Sequence, residues 1–126
     1  MAGLTQALQQ SVLDSATLFP TSGATDHIGW STNGSAESTA VIGARLPIGA
    51  AGWAAATAAT PSVKANNAAL TSAAAVGAGT ITHVAIFSAL TAGTQKTDWQ
   101  ALGTSRTLAI GDQITFAIGA IQVTLD

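Results

Sequence analysis

The residues able to carry chemistry are few in this chain, and they are scattered. It has two histidines, His27 and His83, no cysteine, six acidic residues and four basic ones. Only Asp26 lies beside a histidine, and neighbouring residues of a strand point to opposite faces, so Asp26 and His27 are poorly placed to share a metal ion. We therefore predict no metal site. We expect His83 to be a hydrogen-bonded residue on a packed strand face.

Catalytic motifs are also missing. No serine lies in the Gly-x-Ser-x-Gly pattern that exposes a nucleophile on a sharp turn, and no glycine-rich phosphate loop precedes a helix. The acidic residues suggest no pair for glycoside chemistry. We predict no enzymatic activity and no cofactor. A sugar-binding cleft built on Trp30, Trp53 and Trp99 is an alternative, although these residues would otherwise fill a core made of small side chains.

Charge is unusually scarce for a chain of 126 residues. Charged residues make up 8% of the sequence, against about 25% in an ordinary soluble domain. The four cations, Arg45, Lys64, Lys96 and Arg106, lie far apart, which argues against nucleic-acid binding because phosphate contacts need clustered basic residues.

The mean hydropathy is +0.41, but no apolar run approaches the roughly 18 residues of a membrane span. We expect neither a membrane partner nor a secretory signal. The composition favours a subunit whose apolar surface is covered in an assembly; the alternative is a rigid monomer that leaves this surface exposed.

The elements that would position these residues change in character near Pro20. Before it, the apolar spacing predicts one helix over residues 3–18, which either packs on its own domain or docks on a neighbour. Its predicted apolar face consists of Leu4, Ala7, Leu8, Val12 and Ser15, and Leu13 extends the apolar side.

After Pro20, short β-rich segments alternate with turns at about ten-residue spacing, which is typical of an antiparallel sandwich. We therefore predict an all-β fold, a jelly-roll-like antiparallel β-sandwich over residues 21–126, preceded by the helix as an arm over residues 1–20. The predicted strands are His27–Ser31, Val41–Ile48 with Pro47 suited to a sheet edge, Thr80–Ser88, Arg106–Ile110 with Leu108 and Ile110 inward, and a hairpin-like ending with Ile114, Phe116 and Ile118 on one face, followed by Ile121, Val123 and Leu125.

The order and spacing of several segments in the C-terminal two-thirds of the chain are specific when taken together. These segments are Ala44-Arg45 with a following Trp53, Lys64–Leu70, Gly79–Phe87, Ala101-Leu102, Thr104–Leu108, Gly111–Phe116 and Gly119–Asp126. In them the chain resembles a family of small tailed-phage virion proteins, labelled variously as tail fibre, minor tail or capsid decoration proteins. The resemblance implies a β-sandwich, a location in the virion and no catalytic residues.

Within that family we expect a capsid decoration protein that binds the major capsid protein on the outside of the assembled head and self-associates as a homotrimer. The chain is one short domain without the repeats or heptads that give a fibre its length. Few charges suit permanent contacts. The alternative is a minor tail or tail-fibre protein. The candidate contacts with capsid or subunit are Leu4, Leu8, Val12, Asn33, Gly34 and Phe87.

Overall fold

The structure, a computed structural model, describes residues 5–14, 19, 25–49, 52–58 and 62–125. These residues are mostly β, with one short helix and three small sheets. No helix in this part of the chain is both long and apolar enough to cross a bilayer. The elements are α1 (Gln6–Leu13), β1 (His27–Ser31), β2 (Leu46–Pro47), β3 (Ser62–Ala65), β4 (Leu70–Thr71), β5 (Gly79–Phe87), β6 (Gln100–Leu108), β7 (Thr115–Phe116) and β8 (Gln122–Leu125).

The chain forms two compact units. The first comprises the described residues of Met1–Ala24, Ile48–Ala69 and Phe116–Asp126, and the second comprises Thr25–Pro47 and Leu70–Thr115. Each unit is thus assembled from segments that are distant in sequence. The prediction of an arm over residues 1–20 and a sandwich over 21–126 stays a prediction, as does the jelly-roll arrangement.

In the first unit, α1 is held on β3 by polar side chains. Thr5 begins the helix as its N-cap, and its Oγ1 accepts the Leu8 N–H at 3.4 Å, as capping hydroxyls do. The buried helix residues are Gln9 and Leu13. The Gln9 side-chain oxygen accepts the backbone N–H of Ser62, the first residue of β3, at 2.9 Å. Leu13 is buried, as predicted for the apolar side of the helix. Gln9, which was predicted to lie off that side, is buried as well, because a strand N–H needs an acceptor and Gln9 supplies it.

The same unit contains the antiparallel pair β3–β8, in which Ser62 faces Leu125 and Ala65 faces Gln122. Asn66, which is 1% exposed, fixes the chain that leads into β8. Its Nδ2 donates to Ala117 O at 3.0 Å and its Oδ1 accepts the Ile121 N–H at 2.9 Å. One buried amide therefore places the turn before β8.

The second unit is built on a four-stranded antiparallel sheet with the order β2-β1-β5-β6. In β1, Ile28 lies opposite Ile86 and Trp30 lies opposite Val84. Residues Val84 to Phe87 of β5 are all buried, so both faces of this half of the strand are covered by the chain itself. Burial of its large aliphatic and aromatic side chains is the main stabilising contribution.

Strand β6 is irregular where it runs along β5. Arg106 faces Ile81, and Ala101 faces His83. The four residues 102–105 therefore stand against the single residue Thr82, which is a large bulge. β6 is also the edge of the sheet, and all of it except Leu102 and Leu108 is exposed.

Several predicted elements are confirmed. β1 has the predicted bounds, β5 is displaced by one residue, and Pro47 lies in an edge strand. The Gly111-Asp112 turn is present, with the Asp112 N–H donating to Ala109 O at 3.0 Å.

Other predictions were wrong. The hairpin-like ending does not form, because β7 pairs with β4 and β8 pairs with β3. Ile110, predicted to face inward, is 74% exposed. Ile118, predicted to share a face with Ile114 and Phe116, is 69% exposed, whereas those two are buried. Ile110 and Ile118 lie in or beside turns, where the alternation of a strand no longer applies. The strand predicted over Val41–Ile48 is only two residues long, because Val41 and Ile42 are both buried in a loop.

Candidate assembly surface

An arginine clamp connects two loops of the second unit. Arg45 precedes β2, and its Nε and Nη2 donate to the two carboxylate oxygens of Glu37 at 2.7 and 2.9 Å. Its Nη1 donates to Ala89 O at 2.9 Å and to Ala92 O at 2.8 Å. The guanidinium carbon lies 3.8 Å from the ring centroid of Phe87. Only a planar guanidinium fork offers this combination, so lysine is not an equivalent.

The clamp is structural. The hydrogen bond to Glu37 raises the pKa of Arg45 above its usual value, and the opposing effect of burial does not cancel it. Four of the five guanidinium N–H groups are used: one at Nε, two at Nη1 and one at Nη2. The Arg45 side chain is 9% exposed. Little of it is left to recognise an anion.

A cavity of about 310 Å³ adjoins the clamp, lined among others by Trp30, Thr39, Ile42 and Leu90. Trp30 is 1% exposed, and its Nε1 donates to Ala44 O at 3.0 Å. A sugar needs an open ring face for stacking, and Trp30 offers none.

The other two tryptophans are also occupied by packing. Trp53, in the first unit, is fully buried, and its ring centroid lies 5.3 Å from that of Phe19. Trp99 is half-buried, with its centroid 5.7 Å from that of Phe87. The described structure therefore gives no support to a sugar cleft built on these three rings.

Phe87 itself is 7% exposed and lies between Arg45 and Trp99. A Cβ at Gly29 would come within 2.4 Å of its ring, so glycine at that position makes room for Phe87. Its predicted role as a contact with another subunit stays a prediction. Within the described chain, Phe87 is a core residue of the second unit.

The predicted Asn33-Gly34 turn follows β1. The Asn33 side-chain oxygen accepts the N–H groups of Ser35 at 2.8 Å and Ala36 at 3.2 Å. Gly34 has a φ of 78°, and a Cβ there would lie 2.8 Å from the His83 ring. Both requirements favour glycine. Asn33 is exposed, and its side chain is hydrogen-bonded within the turn, which suits a contact residue; the contact itself stays a prediction.

The predicted helix contacts have unequal outcomes. Leu4 lies outside the described residues. Leu8 is 48% exposed, and Val12 is half-buried. An exposed leucine on a helix that is fixed by other residues is available to a partner, and for that reason Leu8 stays a candidate.

The titratable groups form no catalytic or metal-binding cluster in the described ranges. No three His, Asp or Glu side chains come together there. The His83 Nδ1 lies 2.7 Å from Thr82 Oγ1, as expected for a hydrogen-bonded histidine on a packed face. The Asp26 carboxylate pairs with Lys96 at 2.5 Å rather than with His27.

The sequence analysis assigned no contact role to the exposed residues on and around β6. Arg106 is exposed, on the edge of the sheet, and Asp98 is exposed just before β6. Neither has an ion-pair partner within the described residues, in contrast to Arg45, Lys64 and Lys96. Only the sheet order reveals an edge, so no local pattern could have identified them.

Residues 9–124 match the protein family described as Podophage GP4 fiber I protein gp80. The chain belongs to this family. The match covers nearly the whole sequence, including all eight strands up to the penultimate residue of β8. No curated protein matches the chain.

Membership in the gp80 family confirms a structural phage protein and excludes an enzyme as the family function. It also corrects the order of the two interpretations. The tail-fibre alternative is favoured over the capsid decoration protein placed first, and with it a location in the fibre of the virion rather than on the head. The capsid decoration protein was placed first because the chain has no repeats or heptads. That reason is weak, because a fibre protein need not itself supply the length of the fibre.

Proposed function

We propose that this gp80-family protein is a structural subunit of a podophage tail fibre, built into the fibre by permanent contacts with other virion proteins, including further copies of itself. The family match over residues 9–124 is the observation that carries the proposal. The interior of the protein supports it, since the clamp and the buried tryptophans serve packing rather than ligand binding.

The charge distribution gives a second reason. Three of the four cations, Arg45, Lys64 and Lys96, form intramolecular ion pairs. The remaining surface is rich in small residues and carries exposed aliphatic side chains on several turns. Such a surface has little charge to keep it from other surfaces, and stable interfaces are depleted in charge at their centre. The exposed large aliphatic residues are Leu8, Val76, Leu90, Ile110 and Ile118.

Self-association is part of the proposal, and the homotrimer expected from the sequence stays a prediction. A closed symmetric ring or pair is the usual solution for identical subunits. The major capsid protein is not among the partners that we propose.

The proposal is tested by measuring where the protein lies in the particle and how many copies the particle contains. Purified phage would be labelled with gold-tagged antibody against this chain, and its copy number would be compared with that of the major capsid protein by quantitative mass spectrometry. We expect label on the tail fibres and a copy number well below that of the major capsid protein. Label over the head at a comparable copy number would overturn the proposal and restore the decoration interpretation.

A further inference from the structure

The exposed edge of the second unit carries a pair of opposite charges that have no described partner. The chain has ten charged residues in all. Six of them are neutralised in three internal ion pairs: Arg45–Glu37, Lys64–Asp14 and Lys96–Asp26. Of the other charges in the described ranges, the Asp112 carboxylate accepts the Ala109 N–H at 2.9 Å. Asp98 and Arg106 are the two remaining charged residues of the described ranges, and neither forms an ion pair there.

These two charges lie at opposite ends of the same sheet edge. Arg106 faces Ile81 near the start of β5, and Gln100, two residues after Asp98, faces Val84 further along it. Between them the edge consists mostly of small or polar residues, which permit close approach: Ala101, Gly103, Thr104 and Ser105. A row of this kind on an edge strand is open to pairing with another chain.

The opposite edge of the sheet cannot take part in the same way. It is formed by β2, which is two residues long and ends at Pro47. Proline has no N–H to donate, and a strand this short offers few hydrogen bonds. Addition of β6 of one copy to β2 of the next would therefore form few hydrogen bonds. Pairing of β6 with β6 across a two-fold axis uses the longer edge of both copies.

Two-fold symmetry makes the charges self-complementary. If two β6 edges run antiparallel about an axis near the bulge at residues 102–105, Arg106 of each copy comes to the end of the edge where Asp98 of its partner lies. Both opposite-charge pairs form at once. With the axis placed there, like charges do not meet, and this favours the pairing over other registers.

We propose that the β6 edge, with Asp98 and Arg106 at its ends, is the surface on which two copies of this chain associate. This inference rests on the self-association in the proposed function and names its site. The bulge keeps the middle of the edge from forming a regular ladder, so the charges at the two ends set the register. It also limits addition of unrelated strands, as bulges on edges do.

The experiment measures the dissociation constant of the full chain by sedimentation equilibrium, with four variants. Arg106→Glu and Asp98→Lys each replace two opposite-charge pairs per dimer by two like-charge pairs, so we expect each to weaken association by about tenfold. The double variant restores opposite charges in the reverse order, and we expect it to return to within about threefold of the wild type. Thr124→Glu, on the exposed face of β8, is the control for added charge and should leave the constant unchanged.

Circular dichroism of each variant verifies folding. The wild-type chain offers a measurement that needs no substitution: its dissociation constant should rise between low and high salt, because exposed pairs are screened. If the protein is a dimer and neither the substitutions nor salt change its dissociation constant, the β6 edge is not the site of association, although self-association itself stands. A trimer would overturn the two-fold arrangement. A monomer at all concentrations would refute self-association itself, whereas the location on the fibre is decided separately by the labelling of particles.

Discussion

The ion pair between Asp14 and Lys64 allows a sharp test of how α1 is held on the first unit. Lys64 Nζ lies 2.5 Å from Asp14 Oδ1, and the lysine side chain is fully buried while that of the aspartate is 37% exposed. Asp14 Oδ1 also accepts the Ala56 N–H at 2.9 Å. The pair is therefore asymmetric: the cation depends on the carboxylate, but the carboxylate also reaches water.

This asymmetry predicts unequal costs for the two single substitutions. Asp14→Asn retains the acceptor for Ala56 but leaves the buried ammonium without a counter-charge. Breaking a buried pair in this way costs roughly 3–5 kcal/mol, and we expect about 3 kcal/mol because water reaches Asp14. Lys64→Met removes the buried charge and keeps the aliphatic stem, so we expect a cost of about 1 kcal/mol. The double variant should resemble Lys64→Met.

Urea unfolding followed by far-UV circular dichroism measures these differences, and a loss of 3 kcal/mol corresponds to a fall of about 10 °C in Tm for a chain of this length. The reasoning is refuted if both single substitutions cost the same, or if Lys64→Met fails to rescue Asp14→Asn.

The same pair predicts a dependence of stability on pH. Burial of the Asp14 carboxyl raises its pKa, but the hydrogen bonds from Lys64 and Ala56 and the charge of Lys64 outweigh this, and the pKa lies below its ordinary value. A lowered pKa contributes stability that is fully present above the unfolded value of about 3.9. It is lost as the pH falls through the folded value. Wild-type protein should thus lose more stability on acidification below about pH 4 than the Lys64→Met variant, and equal losses would contradict the assignment.

Two further predictions concern the second unit, both measured by urea unfolding. Arg45→Lys should destabilise it by about 2 kcal/mol, because lysine cannot make the two-pronged contact with Glu37 and reach the loop carbonyls as well; a change below about 0.5 kcal/mol would show that the clamp is dispensable. Gly29→Ala should cost about 2 kcal/mol because its Cβ would lie 2.4 Å from the Phe87 ring. Gly103→Ala, whose Cβ meets nothing within 4 Å, is the matched control, and an equal cost for both would refute the packing argument.

Local patterns predicted those parts of the fold that local chemistry governs. The alternation of β1 and the β-rich run of β5 are properties of consecutive residues, and both strands lie where they were predicted, within one residue. The Asn33-Gly34 turn follows from the positive φ that glycine permits. Local patterns did not predict which strands pair. The alternation in β8 predicts the second arm of a hairpin, but β8 pairs with β3 because the buried Asn66 amide holds the preceding turn.

Composition was informative about the candidate surface only in general terms. Scarce charge predicts covered surface, but it does not say which surface. The sequence analysis also placed the head location before the fibre, because the chain has no repeats. The family match favours the fibre, and the absence of repeats in one chain says little about the length of a fibre made of several proteins.

The sequence by itself determined that this protein is a β-rich, charge-poor chain without an evident catalytic or metal-binding motif, because those properties depend on residue types and their spacing. Only the tertiary structure decided which charges neutralise one another and which remain. Arg45 and Glu37 are eight residues apart and form a two-pronged ion pair, whereas Asp98 and Arg106, also eight apart, form none within the described residues. The difference arises because a loop folds back between Glu37 and Arg45, whereas Asp98 lies before β6 and Arg106 lies beyond the bulge of that strand. Which charges meet therefore depends on how the chain between them folds, and the spacing of the residues does not show it.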